Sequence, residues 1–424
     1  MAAAAPRKTK TSGIDWLGNI PDDWKVQRLK FITSFAYGDA LAAEARTDGE
    51  VPVFGSNGIV GTHGIANTVG PTLIIGRKGS FGKVNRSKVS AFAIDTTYFV
   101  DKRSTKADID WLYYLLGSLG LDSFSKDSAV PGLAREDAYE KYCPVPPPAE
   151  QRLIASFLEQ KTAQLDDLIN RKKRLIELVE ERRLAIITHA VTRGLDPSVP
   201  MTASGSRWFG DIPTHWAVSR VKFVTGFITS GSRGWAEYYS DNGSLFLQSG
   251  NIGARMELDF QVEQRVSPPP GAEGKRTVVS IDDVLVCITG ARTGAIAHVS
   301  KDLGEAYVNQ HIALLRPIKS LINPRFLAYS LWSNLGREQL WLSSYGMKEG
   351  LGLQHVLSIW IARLPLEEQN AIVAHLDDIC GKIDALSAKV ESAIEQLQEF
   401  RKAVIINAVT GAINVRDRAQ EAAE

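Results

Sequence analysis

The chain of 424 residues has 44% hydrophobic and 23% charged residues, which is the composition of a globular protein long enough for two or three domains. Its three cysteines, Cys143, Cys287 and Cys380, are too far apart for a disulfide framework or a paired-ligand zinc site. No signal peptide is recognisable at the start, and no apolar run reaches the about 18 residues of a membrane span. The sequence therefore predicts a cytoplasmic protein that is neither exported nor membrane-spanning.

Charge is distributed unevenly along the chain. The formal net charge is +1, and residues 364–424 alone carry 6 basic and 11 acidic side chains. The preceding segments are only mildly basic, less than is usual for a protein that holds nucleic acid by its own charge. If the chain binds nucleic acid, we expect a partner to supply part of the contacts.

An internal repeat divides the sequence into two halves. Residues 12–31, with tryptophans at positions 16 and 24, recur as residues 204–223 at an offset of 192. Residues 147–192 recur as 365–410 at an offset of 218, so the second half carries 26 additional residues between its two motifs. Two long copies are too few for a stacked repeat array. We therefore predict two similar domains, each followed by one long helix.

Within each predicted domain, short apolar runs bounded by glycine and proline indicate strands. These runs lie at 73–75, 91–94 and 98–100 in the first half and at 284–288 and 312–315 in the second. A short helix should follow in both halves, and Asp108 and Asn323 are suitable residues for its N-cap.

Apolar residues spaced alternately by three and four positions predict the long helices. The predicted seam residues include Leu165, Leu168, Leu175, Ile383, Leu386 and Leu397, and the pairs Glu150, Gln151 and Glu368, Gln369 begin the two helices as further candidates for a spacer or partner surface. Two such seams in one chain can form an intramolecular coiled coil. The alternative is that each helix packs separately on its own domain.

The glycine-rich segment 76–83 is similar to a phosphate-binding loop only in composition. Its glycines 76 and 82 are six positions apart, and Val84 instead of Ser or Thr follows Lys83. A turn that brings backbone and basic side chains to a DNA phosphate or base edge is one interpretation. A tight strand connection with solvated charges is the other.

Motifs for catalysis are missing from the sequence. The seven histidines have no metal-ligand spacing, and no nucleophile elbow occurs. Residues 323–326 are faintly similar to the Asn-Pro-Pro-aromatic motif of adenine methyltransferases, but helix capping explains them and no glycine-rich cofactor motif accompanies them. The sequence therefore predicts no catalytic residue, no metal site and no cofactor bound by this chain.

The order of the motifs resembles the specificity subunits of type I restriction-modification systems. The resemblance rests on Trp-Leu-Gly-Asn-Ile-Pro-x-x-Trp at 16–24, Gly-Ser-Asn-Gly at 55–58, Ile-Gly-Arg-Lys-Gly at 75–79 and Pro-Pro-Pro-Ala-Glu-Gln at 146–151, and it covers residues 12–413. It implies an α+β fold in which two tandem α/β target recognition domains alternate with two long helices that form an antiparallel coiled coil, with a pseudo-twofold repeat. The predicted segments are a flexible N-terminus 1–11, target recognition domain 1 at 12–145, spacer helix 1 at 146–195, target recognition domain 2 at 196–363, spacer helix 2 at 364–413 and a flexible tail 414–424.

This resemblance implies a non-catalytic DNA-recognition subunit. Each domain would read one half of a bipartite site in double-stranded DNA, and the helices would set the distance between the halves. Two modification (methyltransferase) subunits would dock on the chain and supply S-adenosylmethionine and N6-adenine methylation. Restriction subunits would add ATP- and magnesium-dependent translocation and cleavage.

Polar and basic residues in the middle of each half are the candidates for DNA contacts, because Asn and Gln can pair with adenine, Arg and Lys with guanine, and Thr methyls can pack on thymine. The candidates are Ser56, Asn57, Arg77, Lys78, Ser80, Lys83, Thr96 and Thr97 in the first half, and Gln248, Ser249, Asn251, Thr289, Arg292, Thr293, Gln310 and His311 in the second. Each polar cluster could equally form a turn or lie in the core. For the paired tryptophans, core packing is favoured over stacking on bases.

Two other classes of function remain open from the sequence. A self-sufficient DNA methyltransferase or nuclease is disfavoured by the missing catalytic and cofactor motifs. A structural adaptor whose domains bind protein instead of DNA is excluded only by the family resemblance.

Overall fold

The computed structural model describes residues 7–123, 132–231, 233–269, 271–344 and 350–416. The chain divides into two compact units, of which unit 1 comprises Met1–Lys173 and Ser392–Glu424 and unit 2 comprises Arg174–Glu391. The predicted flexible ends lie outside the described residues at 1–6 and 417–424. The prediction is wrong for Thr9–Thr11, which form a strand, and for Val415, which is buried.

Unit 1 contains the elements of the first half of the repeat. Its strands are β1 (Thr9–Thr11), β2 (Asn19–Pro21), β3 (Lys25–Arg28), β4 (Ala36–Tyr37), β5 (Val51–Gly55), β6 (Gly58–His63), β7 (Thr72–Gly76), β8 (Val84–Ser87), β9 (Phe92–Ala93), β10 (Thr97–Val100) and β11 (Tyr142–Val145). Its helices are α1 (Ile109–Ser118) and α2 (Arg135–Tyr139), followed by α3 (Pro148–Arg193), which continues into unit 2.

Unit 2 repeats this order. Its strands are β12 (Met201–Ala203), β13 (Asp211–Pro213), β14 (Ala217–Arg220), β15 (Thr225–Ser230), β16 (Tyr239–Leu247), β17 (Arg265–Val266), β18 (Val284–Cys287), β19 (Ile296–His298), β20 (Ala306–Val308), β21 (Ile312–Pro317) and β22 (Trp360–Arg363). Its helices are α4 (Ala272–Arg276), α5 (Pro324–Trp332), α6 (Asn334–Ser344) and α7 (Leu353–Leu357), and α8 (Leu366–Thr410) ends in unit 1.

The sheets of the two units have the same topology, as the internal repeat predicts. A four-stranded antiparallel sheet has the order β4-β10-β7-β8 in unit 1 and β15-β21-β18-β19 in unit 2. A three-stranded sheet contains the parallel pair β5 and β9 in unit 1 and the parallel pair β16 and β20 in unit 2. Two-stranded sheets pair β3 with β11 and β14 with β22. The α+β fold and its duplication are therefore confirmed.

The central strands β7 and β18 are buried at every position because both of their faces are covered. In β7, Leu73 and Ile75 belong to the core that includes Trp111 of α1, whereas Ile74 packs in a second cluster with Phe54 of the three-stranded sheet. Successive side chains of a strand point to opposite faces. Alternate side chains of β7 thus pack in two different cores. In unit 2 the side chains of β18 alternate between two cores in the same way.

The predicted helix starts are confirmed by their caps. Asp108 accepts a hydrogen bond from the Trp111 backbone N–H at 2.9 Å, and Asn323 accepts from Arg325 and Phe326. These bonds satisfy backbone donors that lack a partner within the helix. The similarity of residues 323–326 to a methyltransferase motif is therefore explained by capping.

The long helices α3 and α8 run in opposite directions within each unit. In unit 1, Arg401 donates to Asp166 at 2.8 Å, and Arg416 beyond the end of α8 donates to Glu150 at 2.8 Å. In unit 2, Arg183 pairs with Asp384, and Gly194 lies beside Glu368. In both units the residue numbers fall along one helix as they rise along the other, so the predicted antiparallel coiled coil is confirmed. None of the described helices is long and apolar enough to cross a membrane.

Half of the predicted seam is wrong by one residue. Leu165 is 6% exposed as predicted, but Leu168 and Leu175 are each 41% exposed, and Ile169 is buried next to Leu168. In α8, Ile383 and Leu397 are half-buried as predicted, but Leu386 is exposed and Ser387 is buried in its place. The observed seam includes Thr162, Arg183 and Ser387. A pattern based on leucines does not detect these three polar positions, and it also selects Leu168 in place of the neighbouring Ile169.

This correction predicts opposite outcomes for two neighbouring apolar residues. We expect Ile169→Ala to lower the free energy of unfolding of unit 1 by about 2–4 kcal/mol, because it leaves a cavity in the seam. The matched variant Leu168→Ala should change it by less than about 1 kcal/mol, because that side chain is already largely solvated. Urea unfolding of both variants measures the difference, and equal losses would contradict the observed seam.

Candidate nucleic-acid interface

Three connections that are distant in sequence meet at one end of the domain in unit 1. We call residues 55–58, 76–83 and 94–97 loop face 1. The Lys83 Nζ donates to the backbone and side-chain oxygens of Asn57, both at 2.8 Å, which joins the first two connections. The Arg77 N–H donates to the Thr96 carbonyl at 2.9 Å, which joins the second to the third. The fold therefore brings together all three clusters predicted from the first half of the sequence.

Glycines allow the connection between β7 and β8 to fold back on itself. A Cβ at Gly76 would lie 2.1 Å from the Ser80 carbonyl oxygen. Gly82 has φ +74°, and a Cβ there would lie 2.3 Å from the backbone of Asp122. No other residue fits either position without moving the backbone. The tight turn leaves Lys78, Ser80 and Lys83 exposed at its tip.

An aromatic residue that the sequence analysis missed contacts loop face 1. Tyr37, 48% exposed, has the guanidinium carbons of Arg77 and Arg135 at 5.1 Å each from its ring centroid. The Arg77 Nη1 also donates to the Asp95 carbonyl at 3.1 Å. Arg77 is thus held by a ring and a carbonyl instead of extending freely. No local pattern links residues 37, 77 and 135, so only the fold reveals this cluster.

Unit 2 carries the equivalent surface, loop face 2, formed by residues 248–252, 288–294 and 309–311. The Arg292 Nη1 donates to the carbonyls of Ile252 and Gly250, which joins the second connection to the first. Thr289 Oγ1 is hydrogen-bonded to His311 Nδ1, and the Ile288 N–H donates to the His311 carbonyl at 2.8 Å. The same three connections of the repeat therefore converge in both units.

Two predicted DNA-contacting residues are structural. Thr97 is fully buried, and its hydroxyl donates to the Ile94 carbonyl at 2.7 Å. Asn251 is 5% exposed, and its amide donates to the carbonyls of Asp259 and Val262. Both side chains satisfy backbone groups of turns, which is a common use of Thr and Asn. The prediction of base contacts is therefore wrong for these two residues.

The remaining candidates have solvent-accessible side chains. Asn57, Lys78, Ser80, Lys83 and Arg292 are exposed. The half-buried candidates are Ser56, Arg77, Thr96, Gln248, Ser249, Thr289, Thr293, Gln310 and His311. Among the half-buried residues, Gln310 Nε2 lies 3.1 Å from His311 Nε2, and Gln248 Nε2 donates to the Tyr239 hydroxyl at 3.0 Å. Each loop face thus presents cationic, amide and hydroxyl groups, the types that contact phosphates and base edges.

The Glu-Gln pair at the start of each long helix anchors the adjacent domain. The Trp24 Nε1 donates to Glu150 at 2.9 Å, and Gln151 Oε1 accepts from the Asp108 N–H at 2.9 Å. In unit 2 the Trp216 Nε1 donates to Glu368 at 3.0 Å, and Gln369 accepts from Asn323 at 2.8 Å.

These contacts correct the expectation of a partner surface for three of the four residues of the Glu-Gln pairs, whereas Glu368 is 30% exposed. Glu150, Gln151 and Gln369 are each less than 5% exposed. Of the four tryptophans predicted to pack in the core, Trp24 and Trp216 are buried, Trp208 is half-buried and Trp16 is 38% exposed, so the prediction is wrong for Trp16. The repeated tryptophan motif and the repeated Glu-Gln motif therefore contact each other in both units. We call this contact between domain and helix the joint of each unit.

The described residues contain no group of His, Cys, Asp and Glu side chains arranged to hold a metal ion. All three cysteines are buried, and burial raises the pKa of the Cys143 thiol to about 12. This thiol is therefore protonated at neutral pH, which disfavours reaction as a nucleophile.

Each unit thus combines a mixed α/β domain, a loop face and paired segments of the two long helices, so the chain is a duplicated two-domain protein. Residues 21–178 match the sequence model of the type I restriction modification DNA specificity domain. The chain is 22% identical over 359 residues to the EcoBI specificity subunit of Escherichia coli, covering 82% of this chain and 75% of that protein. It is 21% identical over 428 residues to the EcoDI specificity subunit of Escherichia coli, covering 95% and 91%.

A solved structure described as the basis of complex assembly and conformational transition of the type I R-M system contains a chain of similar fold. The TM-score is 0.67 at 17% identity, covering 93% of this chain and 99% of that chain. The chain is therefore similar to specificity subunits of type I restriction-modification systems, and its residues 21–178 match the DNA specificity domain of that family.

Proposed function

We propose that this chain is the DNA-recognition subunit of a type I restriction-modification complex and that each loop face reads one half of a bipartite site. The observation that carries the proposal is the convergence of the same three connections in both units, joined by Lys83 to Asn57 in one and by Arg292 to Ile252 in the other. Different side chains on a common scaffold suit two different half-sites.

The chemistry of the loop faces supports direct contact with DNA. Lys78, Lys83 and Arg292 are exposed cations that can bind phosphates or the acceptor edge of guanine. Asn57 and Gln310 carry amides that can pair with adenine. The net charge of only +1 is low for a protein that binds DNA alone. Partner subunits would therefore supply further phosphate contacts.

The proposal assigns the chemistry to the partners. Two modification subunits would hold S-adenosylmethionine and methylate adenine at N6, and restriction subunits would use ATP and magnesium for translocation and cleavage. This chain would be non-catalytic, would act in the cytoplasm, and would set the distance between the half-sites through α3 and α8. The names of the curated relatives, which are specificity subunits of type I restriction enzymes, support this assignment.

Single substitutions on the two loop faces should alter different halves of the recognised site. We expect Asn57→Ala to relax base preference in one half-site only and Gln310→Ala to relax it in the other, each by about 1–3 kcal/mol of discrimination. Sequencing of duplexes selected by each variant complex from a random library measures both halves at once, and each variant is the control for the other.

Two outcomes of this selection would contradict the proposal. If one substitution relaxed the base preference in both half-sites, it would contradict the proposal that each loop face reads one half-site. Selection of no sequence by the unaltered complex, with stable binding of a protein partner, would favour the adaptor function instead.

A further inference from the structure

A cavity of about 390 Å³ in unit 2 lies away from loop face 2, between the two-stranded sheet β14–β22 and helices α6 and α7. Its lining includes Arg207, Trp208, Arg220, His355 and Trp360 and contains no carboxylate. Of these residues, the sequence analysis considered only Trp208, as one of the paired tryptophans. The cavity is therefore a cationic, aromatic site outside the interface already described.

Both arginines of this cavity lie over tryptophan rings. The Arg207 guanidinium carbon is 4.8 Å from the ring centroid of Trp208, and that of Arg220 is 4.8 Å from the ring centroid of Trp360. Among the described residues, neither arginine has a carboxylate within 4.0 Å. Stacking on an aromatic ring orients a guanidinium while leaving its N–H groups available. Two oriented guanidinium groups thus border one cavity, and no carboxylate of the described residues pairs with either of them.

Hydrogen bonds fix the other side of the cavity. Gln339 of α6 donates to the Trp360 carbonyl at 3.0 Å and accepts from the Trp360 N–H at 2.8 Å, which holds the ring platform in place. His355 Nδ1 accepts from the Gly352 N–H at 2.9 Å. Neutral His355 must therefore carry its proton on Nε2, where it is a hydrogen-bond donor. The cavity thus combines two guanidinium groups with a neutral donor.

The same surface in unit 1 carries carboxylates that balance its cations. Asp15 stands at the position of Arg207 in the repeat, and Glu140 stands at the position of Ser358. Glu140 pairs with Arg28 at 2.7 Å and with Lys30 at 2.8 Å. Arg28, the counterpart of Arg220, is therefore neutralised. Because the fold forms without a cationic cavity in unit 1, the scaffold does not require one in unit 2, and a ligand specific to unit 2 explains it better.

We propose that this cavity binds a phosphate of the DNA backbone beside the half-site read by loop face 2. The inference rests on the proposed function, and it assigns a contact to residues outside the recognition loops. Arginine forks match the geometry of phosphate oxygens, and each charge-assisted bond is stronger than a neutral one. A single phosphate would engage Arg207 and Arg220 together with the His355 Nε2 donor.

Helix α6 connects the cationic cavity with a cleft that includes a residue of loop face 2, which supports binding of both to one duplex. Arg337 and Trp341 of α6 line a neighbouring cleft together with Arg292 of loop face 2, whereas Leu342 and Ser343 of the same helix line the cationic cavity. Helix α6 thus borders both the cationic cavity and the cleft that reaches Arg292.

The salt dependence of DNA binding tests this assignment. The full chain in complex with its modification subunits would be titrated with a mixed-sequence duplex over a range of salt concentrations. We expect the double variant Arg207→Gln/Arg220→Gln to reduce the slope of log Kd against log salt concentration by about 0.9, the change for one lost phosphate contact. The matched control Arg28→Gln should leave the slope unchanged. A second variant, Arg207→Asp, copies the residue that unit 1 carries at position 15, and it should also reduce the slope.

The outcomes separate this inference from the proposed function. If the unaltered complex binds the duplex and both cavity variants keep its slope, the phosphate assignment is overturned and the proposed function stands. If duplex binding is unchanged but the variants lose affinity for the modification subunit, the cavity takes an acidic protein segment, which also overturns the assignment. Failure of the unaltered complex to bind any duplex would overturn both.

Discussion

Lengthening α3 and α8 by one heptad each is expected to widen the gap between the two recognised half-sites by about 3 base pairs without changing either half-site. Seven helical residues add about 10 Å, and one base pair occupies about 3.4 Å. A heptad preserves the alternation of four and three positions in both seams. The relevant insertion points follow residue 172 in α3 and residue 394 in α8, which lie between the ion pairs Asp166 with Arg401 and Arg183 with Asp384.

Both helices must be lengthened because they run antiparallel within each unit. The matched control is the same heptad inserted into α3 alone, which cannot keep both ion pairs in register and should abolish recognition of the split site. Selection from a random duplex library measures the gap. An unchanged gap in the double insertion would show that α3 and α8 do not set the spacing.

Loss of the carboxylate of Glu150 is expected to destabilise unit 1 by about 3–5 kcal/mol, the usual cost of breaking a buried charge pair. Glu150 is 2% exposed and accepts hydrogen bonds from Trp24, Arg7 and Arg416. The Glu150→Ala variant leaves the Trp24 indole and the largely buried Arg7 without their acceptor. Urea unfolding followed by tryptophan fluorescence measures the loss.

The repeat supplies a matched control for this joint. Glu368→Ala removes the equivalent carboxylate from unit 2, where the side chain is 30% exposed and its partners are Trp216 and His215. Because water can replace part of these interactions, we expect a smaller loss of about 1–2 kcal/mol. Equal losses in the two units would contradict the role of burial in this comparison.

The joint of unit 1 should also contribute to acid sensitivity. Burial alone would raise the pKa of Glu150, but the hydrogen bonds from Arg7 and Trp24 and the charges of Arg7 and Arg416 outweigh it, so the pKa is below its ordinary value of 4.5. The resulting stabilisation is fully present above the ordinary pKa and is lost as the pH falls through the lowered value. In the Glu150→Gln variant, this part of the acid dependence should disappear.

The sequence predicts the duplicated architecture well because its signals are local and occur twice. The buried strands β7 and β18, the caps Asp108 and Asn323, and the long helices each depend on patterns within a few residues. The coiled-coil seam was partly mispredicted because Thr162, Arg183 and Ser387 are buried in it. Hydrophobic periodicity does not register polar seam positions, so it selected the exposed Leu386 instead of Ser387. At 168 and 169 both residues are apolar, and the pattern could not distinguish exposed Leu168 from buried Ile169.

The interface could be predicted in composition but not in arrangement. Local clusters of Gly, Asn, Lys and Arg identified the three connections of each loop face, but their meeting depends on sheet topology. For the same reason, the pattern could not distinguish exposed Asn57 from buried Asn251, because both occur in polar turns. Tyr37 and Arg135 lie outside every motif and join the interface only through the fold.

The measurement that tests the central claim most directly is genome-wide mapping of N6-methyladenine in cells that contain this chain and its modification subunit, compared with cells lacking only this chain. The proposed function predicts a split motif with two fixed half-sites and a constant gap, which disappears when the chain is removed. An unchanged methylation pattern in the presence of an active modification subunit would contradict DNA recognition by this protein.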